Sequence, residues 1–599
     1  ELVTPVPKSR KQKRHDQGKL DLGDSPNEQK YDPTPLINDI RACVKSWRDL
    51  PNASDWGVTP TTARLLTYWR HHEFSKIRPF FCQIEAVETI IWLTEVARKE
   101  HRYARFWEHI KGANAEANPE LVRIAMKMAT GSGKTTVMAM LIAWQVLNAV
   151  RTPNSSLFSR GFLVIAPGIT IKDRLRVLLP EDPDNYYRNR ELIPVDMLGD
   201  IAKAKIVITN FQALQHRETM EISKTGRSLL QGRGEAPRTL ETDGQMLDRV
   251  CKPLMALKNV VVINDEAHHC YREKPETEDE DRAAEDKDEA KKNNEAARLW
   301  INGIEALKRK IGVRAVYDLS ATPFFLSGSG YREGTLFPWT VSDFSLMDAI
   351  ECGIVKLPRV PVADNLPGGE MPVYRDLWKH IGKEMPKKGR SEENGLDPMS
   401  PPPELITALY ALYGHYAKTY ELWQREGIAS PPVFIVVCNN TSTSQLVYEW
   451  ISGWDCEENG ERRTVNFGNL ELFRNYDQYG QRLARPNTLL IDSEQIESGE
   501  ALEPGFRKMA APEIEQFKRE MRERGASPSE VDKITDQDLL REVMNTVGKP
   551  GRLGANIRCV VSVSMLTEGW DANTVTHILG VRAFGTQLLC EQVIGRALR

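Results

Sequence analysis

Apolar positions along this chain fall into two kinds of run. From about residue 36 to residue 115 they recur at helical spacing, most clearly over Phe81–Val96 (FCQIEAVETIIWLTEV). Between Val122 and Thr322 short runs rich in β-branched residues take over: VRIAMKM, GFLVIAP, KIVITN, NVVVIND and AVYDLSAT, separated by helix-like stretches. Continuous apolar runs of this length are what strands buried on both faces look like, and their alternation with helices predicts a doubly wound parallel sheet. A second series of the same kind follows, with VFIVVCNN at 433–440, NTLLID at 487–492, IRCVVSVS at 557–564 and HILGVR at 577–582. The predicted fold class is therefore α/β, with two tandem parallel-sheet domains flanked by helices.

Polar stretches punctuate this pattern. Residues 1–35 are basic and then rich in Pro, Asp and Asn, and read as a flexible arm. Arg272–Arg298 is densely charged and reads as a solvated, partly helical insertion between two strands; its Glu289–Lys291 ExK string is explained by low-complexity charge and not by nuclease chemistry. Pro358–Pro403 carries the proline and glycine of a connection, and about 494–550 reads as a helical insertion. The expected layout is an arm and extension over 1–60, a first domain over 61–340, a connection over 341–404 and a second domain over 405–599.

Composition changes this picture little. The 599 residues exceed what one core serves, and 41% apolar with 27% charged residues is ordinary for globular chains. With 80 basic and 83 acidic residues the net charge is −3, so any nucleic-acid contact has to come from a local basic groove. Nine cysteines are scattered without a CxxC pair and no HExxH occurs, which argues against a disulfide framework or a zinc site and for a reducing, cytoplasmic setting. No apolar run is long enough to span a bilayer, and no signal peptide is evident. The chain opens on Glu1 and closes on Arg599 within a motif, so both ends read as cut.

The chemistry is concentrated in four strings. In MKMATGSGKTTVMAMLIAWQVL, Met126–Leu147, an apolar strand runs through a glycine loop into an apolar-periodic helix. That context makes a phosphate cradle of Thr130, Gly131, Ser132, Gly133, Lys134, Thr135 and Thr136. The glycines let backbone N–H groups turn toward phosphate oxygens, Lys134 is expected at the β- and γ-phosphates of ATP, and Thr135 at Mg²⁺. The position where such loops usually begin with glycine is Met128. In VVVINDEAHHC a strand ends in Asp265 and Glu266, the first placed for Mg²⁺ and the second for polarising the attacking water, with His268 expected to couple the site to neighbouring loops. Ser320, Ala321 and Thr322 end a further strand and are expected to relay the state of the phosphate. Finally QLLCEQVIGRALR places Gln592, Arg596 and Arg599 on one face of a helix, where two guanidiniums suit the oxygens of a γ-phosphate.

In this order the strings MATGSGKT, DEAH, SAT, TEGWD and QVIGRALR resemble the DEAH-like group of superfamily 2 helicases. The resemblance implies two RecA-like lobes with ATP in the cleft between them. It assigns Gln83, in RPFFCQIEAVETI, to the adenine, Gly569 and Asp571 to the cleft face of the second lobe, and Arg596 and Arg599 to the γ-phosphate. Two longer strings, DFSLMDAIECGIVKLPRVPV (343–362) and residues 567–599, look like the Res subunit of type III restriction enzymes. That likeness implies a motor tracking duplex DNA, a methyltransferase partner that recognises the site, and a nuclease domain after the motor that residues 1–599 do not include.

Candidate DNA-backbone contacts are Pro167, Gly168, Thr170 and Lys172 after the second strand, Thr209, Asn210 and Gln212 after the third, and Asn439, Asn440 and Thr441 in the second domain. Each is equally an ordinary turn. The reading that follows is a DNA-dependent ATPase motor of a restriction system. The alternatives are a stand-alone repair or RNA helicase and a binding scaffold without turnover. Intact Lys134, Asp265, Glu266 and Arg596 speak against the scaffold, and the SAT, TEGWD and QxxGRxxR strings speak against a metabolic P-loop kinase.

Overall fold

The computed structural model describes residues 33–217, 240–274, 284–326, 328–359, 377–386, 401–458, 461–491, 510–523, 528–563, 572–583 and 587–599. The chain divides into two compact units, Glu1–Glu351 and Cys352–Arg599.

The first unit is built on β1 (Arg123–Met128), β2 (Gly161–Ala166), β3 (Lys205–Asn210), β4 (Val260–Asp265), β5 (Val313–Ser320) and β6 (Thr340–Phe344). They form one sheet in the order β3-β2-β4-β5-β1-β6, and every pairing is parallel. Alternate residues serve opposite faces, as the period of a strand requires. Phe162, Val164, Val261 and Ile263 join a core with the Phe81–Ile91 and Lys134–Arg151 helices, while Leu163, Ile165, Val260 and Val262 join Trp300, Ile304 and Leu307 of the Ala284–Ile311 helix. The charged stretch that begins at Arg272 thus leads into a long helix whose later turns are apolar on one face. Each fully buried Val, Leu or Ile contributes about 1.5–3 kcal/mol, which is what holds the two helical layers to the sheet.

This core reaches beyond the boundaries expected from the sequence at both ends. Leu36, Ile40, Val44, Trp47 and Trp56 are buried in it, because the Pro33–Arg48 helix is amphipathic and lays its apolar stripe inward. At the other end β6 pairs with β1, so the sheet runs on past residue 340.

The second unit contains β7 (Val433–Cys438), β8 (Trp454–Glu458), β9 (Glu461–Asn466), β10 (Thr488–Ile491), β11 (Cys559–Val563) and β12 (Val575–Val581). Four of these form a parallel sheet in the order β10-β11-β7-β12, and β8 pairs with β9 as an antiparallel hairpin. β7 shows the two-sided burial most plainly: Val433, Ile435 and Val437 enter one core, and Phe434, Val436 and Cys438 the other. Part of the helical insertion lies in the first of these cores, where Ile514, Val531, Leu539 and Val543 pack from three helices between Ala511 and Asn545. Both units are therefore α/β layers of parallel strands and helices, consistent with tandem RecA-like domains. Among the described residues no helix is long and apolar enough to cross a membrane.

Candidate active site

Three strands bring the first unit's motifs to one edge of the sheet. β5 lies between β1 and β4, so Ser320 at its end stands between the loop after β1 and the acidic pair at the end of β4. Strand C-terminal ends of open α/β sheets are where ligands bind, because the loops there diverge and the following helices point their N-termini outward.

The loop after β1 turns through Gly131 and Gly133, whose φ angles of 87° and 84° are open to glycine and costly for other residues. A Cβ on Gly133 would also collide with Gln83 Nε2. Ser132 closes the turn by donating from both its backbone N–H and its hydroxyl to the Ala129 carbonyl, at 3.1 and 2.7 Å. Lys134 then opens the Lys134–Arg151 helix, whose Thr136 N–H donates to the Gly133 carbonyl at 2.9 Å, whereas the N–H groups before it in the first turn have no carbonyl within the helix to reach. Its ammonium lies 3.0 Å from Glu266 Oε1. Thr135 is half-buried in the same turn, and the buried Thr136 hydroxyl accepts from Arg190 at 2.8 Å. Thr130 is buried behind the loop.

Asp265 is the last residue of β4 and is almost wholly buried. Burial first, and the neighbouring Glu266 charge second, push its pKa up to about 6, against the opposing pull of Lys134 and Arg174. Glu266 adopts the left-handed conformation at φ 48°, an uncommon one for glutamate, and its N–H donates to Asp265 Oδ1 at 3.1 Å. From there a chain of polar contacts crosses the sheet edge. Glu266 Oε2 is 3.7 Å from His268 Nδ1, which is 2.9 Å from Ser320 Oγ, which accepts the Thr322 N–H at 3.0 Å. The residues expected to couple are thus in contact, with Ala321 buried between the last two.

The oxygen donors at this edge, a threonine hydroxyl and a buried carboxylate whose charge burial disfavours, suit a hard divalent cation such as Mg²⁺. No cluster of three or more His, Cys, Asp or Glu able to hold a metal occurs among the described residues, and Mg²⁺ on nucleotide phosphates needs none.

Gln83 sits in the first turn of the Phe81–Ile91 helix, 3% exposed. Its Oε1 accepts from the Phe80 N–H at 3.1 Å and its Nε2 donates to the Ser132 carbonyl at 2.7 Å, so it ties this helix to the phosphate loop. An amide offers two acceptor and two donor positions, and these bonds use one of each.

The second unit carries its expected residues on the Gln587–Ala597 helix. Gln592 and Arg596 are largely buried on it, and Arg599 is half-buried just beyond. Gly569 and Asp571 lie outside the described residues. Of the proposed DNA contacts, Pro167 and Gly168 follow β2, Thr209 and Asn210 end β3, and Asn439 follows β7, all at strand C-terminal ends. Thr170 and Lys172 belong to the Ile169–Arg174 helix. Gln212 and Thr441 are exposed, whereas Thr209 is buried and Asn440 is occupied capping its helix through Thr443 N–H at 2.8 Å.

Several supporting residues carry no motif. Arg190 reaches Thr136 while stacked 3.9 Å over Tyr186. Lys356 donates to the carbonyls of Asn573, Val575 and Ala597, and its own N–H to that of Leu598, so it pins the end of the arginine-bearing helix to β12. Beneath the site, Asp318 on β5 holds Arg123 at 2.8 Å and accepts from Asn264 and Trp339, all of them fully buried. Burial works against the Arg123 charge, but Asp318 keeps its pKa above the usual value. The detectable signal for this network was polar residues inside otherwise apolar strand runs: Arg123, Asn264 and Asp318 interrupt VRIAMKM, NVVVIND and AVYDLSAT.

Residues 76–325 match the family model of the type III restriction enzyme, res subunit, a helicase superfamily 2-like domain. The matched segment includes Gln83, the phosphate loop, Asp265 to His268 and the Ser320–Thr322 triplet. None of the curated proteins compared with the chain matches it. The match supports a helicase-like ATPase motor of the type III restriction family.

Proposed function

We propose that this chain is the ATP-driven motor of a type III-like restriction system, hydrolysing ATP while it tracks duplex DNA. The observation that carries the reading is the assembly of Lys134, Asp265, Glu266, His268 and Ser320 at the ends of β1, β4 and β5. A lone glycine loop would support only nucleotide binding. A glycine loop joined to a paired acid, and that acid joined to a relay, supports turnover coupled to movement.

In this mechanism the first-turn N–H groups and Lys134 hold the β- and γ-phosphates. Glu266 orients a water for in-line attack on the γ-phosphorus and draws off its proton as the bond to the β–γ bridging oxygen breaks. Thr135 and Asp265 would hold Mg²⁺, which when bound supplies neutralising charge at the phosphate oxygens. Gln83 offers its remaining donor and acceptor to the adenine edge. Because Glu266 contacts both Lys134 and His268, loss of the γ-phosphate changes the charge felt by His268, and Ser320 and Thr322 carry that change into β5. We assign Arg596 and Arg599 to stabilising the charge that develops on the γ-phosphate, worth about 10³-fold or more in rate. Gly569 and Asp571 keep the cleft role implied by the resemblance. Loops at the strand ends would follow DNA phosphates, and a methyltransferase subunit would supply site recognition. Cleavage chemistry is not assigned to residues 1–599.

The test is ATP hydrolysis without nucleic acid, with duplex DNA and with single-stranded RNA, with Lys134→Ala as the blank. Stimulation by duplex DNA that disappears in Lys134→Ala is expected. Stimulation by RNA alone would transfer the chain to the RNA helicases, and no turnover under any condition would sink the motor reading.

A further inference from the structure

A cavity of about 330 Å³ opens on the second unit, between the Thr441–Ser452 helix, the start of β8 and the sheet's edge strand β10. The helix begins just after the C-terminal end of β7 and runs back along the sheet, so its last turn lies toward the strands' N-terminal ends. The cavity is therefore at the opposite edge of this sheet from the motif-bearing loops, and the ATPase reading does not use it.

Its lining has a defined chemistry. Tyr448 and Glu449 project from the helix, Trp454 and Asp455 come from β8, and Tyr476 and Arg482 from the loop before β10. Glu449 is half-buried, and the contact made to its carboxylate is a single neutral one, from the Gln445 amide to Oε1 at 2.5 Å. The ion pairs nearest it in sequence, Arg425–Glu426 and Arg485–Glu513, do not involve Glu449, no ion pair to it is found among the described residues, and burial raises its pKa. Asp455, by contrast, faces the Tyr476 hydroxyl, on which Arg482 also acts. The walls thus offer one committed carboxylate, one under-satisfied carboxylate and three aromatic rings. Two carboxylates against one guanidinium make the cavity a poor host for phosphates and a good one for a cation. Its volume lies at the lower end of the range for small-ligand sites.

A guanidinium fits this lining better than an ammonium does. Its planar fork presents parallel N–H donors to a carboxylate, and its faces stack on tyrosine and tryptophan. We infer that this cavity binds a guanidinium group carried on an alkyl stem, with Glu449 as its fork partner and Tyr448, Trp454 and Tyr476 as its walls. The group comes from a free guanidino compound or from an arginine side chain of a partner protein.

Isothermal titration calorimetry of the 599-residue chain separates these sources. The probes are agmatine, its diamine counterpart cadaverine, and the blocked tripeptide acetyl-Gly-Arg-Gly-amide. Agmatine is expected to bind and cadaverine to bind at least about tenfold more weakly, since it cannot form the fork. Glu449→Gln keeps the shape and removes a buried acid, so melting temperature and ATP hydrolysis should hold while agmatine affinity falls at least about tenfold. Tripeptide binding as tight as agmatine assigns a protein-borne arginine; agmatine binding without tripeptide binding assigns a free small molecule. No heat with either guanidinium probe on the unaltered chain overturns the inference, as does an affinity that Glu449→Gln leaves unchanged.

Discussion

The two parallel sheets of this molecule solve the same packing problem with different chemistry inside. The second sheet is apolar through its strands: β7, β10, β11 and β12 contain no Lys, Arg, Asp or Glu. The first sheet threads charges through its centre, with Arg123 paired to Asp318 and Lys127 to Asp343, all nearly or wholly buried. Apolar strands would stabilise the first sheet at least as well, because desolvating an ion pair offsets much of its attraction. Lys127 lies just before the loop after β1 and Asp318 beside Asn264, one residue short of the acids at the end of β4, while Arg123 opens β1 at its other end. A shifted strand would leave a buried charge unpaired, which disfavours other registers of the strands that carry the candidate site residues. The strands of the second sheet carry no such charge pair among the described residues, and Lys356 ties the end of the arginine helix to β12.

The largest effect should come from the chemistry that the first sheet supports. Glu266→Gln removes the group assigned to the water and should lower turnover by about 10²–10⁴-fold while ATP still binds, as read from single-turnover hydrolysis beside nucleotide titration. If turnover survives, the charged network supports something other than hydrolysis.

Next is the network itself. Asp318→Asn preserves shape but strands the Arg123 charge in the core, and should destabilise the first unit by about 3–5 kcal/mol. Hydrogen exchange would show the loss in β1, β4 and β5 and not in β7, β11 and β12. Equal loss in both sheets would break the contrast between them.

The smallest effect belongs to the second sheet and is set by pH. His577 on β12 stacks on Phe434, and burial first, with His415 second, lowers its pKa from 6.5 to about 4. A base whose folded pKa is depressed contributes stability above its unfolded pKa and loses it as pH falls through the folded one. The second unit should therefore weaken between pH 6.5 and 4, by about 3 kcal/mol at the lower limit. His577→Phe should flatten that slope in pH-dependent unfolding without altering the first unit. A slope that persists unchanged would place the titrating group elsewhere.

Much of the active edge was legible because its parts are contiguous in the chain. Met126–Leu147 holds strand, loop and helix in one string, and β4 runs directly into Asp265 and Glu266, so local rules of glycine conformation and strand burial suffice to read them. Gln592 and Arg596 fall on one face of a helix by spacing alone. The domain limits were less legible, since the amphipathic Pro33–Arg48 helix resembles an extension until its partner is known.

By itself, then, the sequence determined the element types, the two α/β series and the candidate residues of the site. Only the tertiary structure decided that β5 would lie between β1 and β4, which is what brings His268 within 2.9 Å of Ser320 across 52 residues of chain. It likewise decided that Gln83 would clamp the Ser132 carbonyl, 49 residues away, and that Lys356 would hold a helix that ends 241 residues later. The physical reason is common to all three. Strand order and helix docking minimise exposed apolar area over the whole unit, and which polar groups become neighbours is a consequence of that packing that no local pattern encodes.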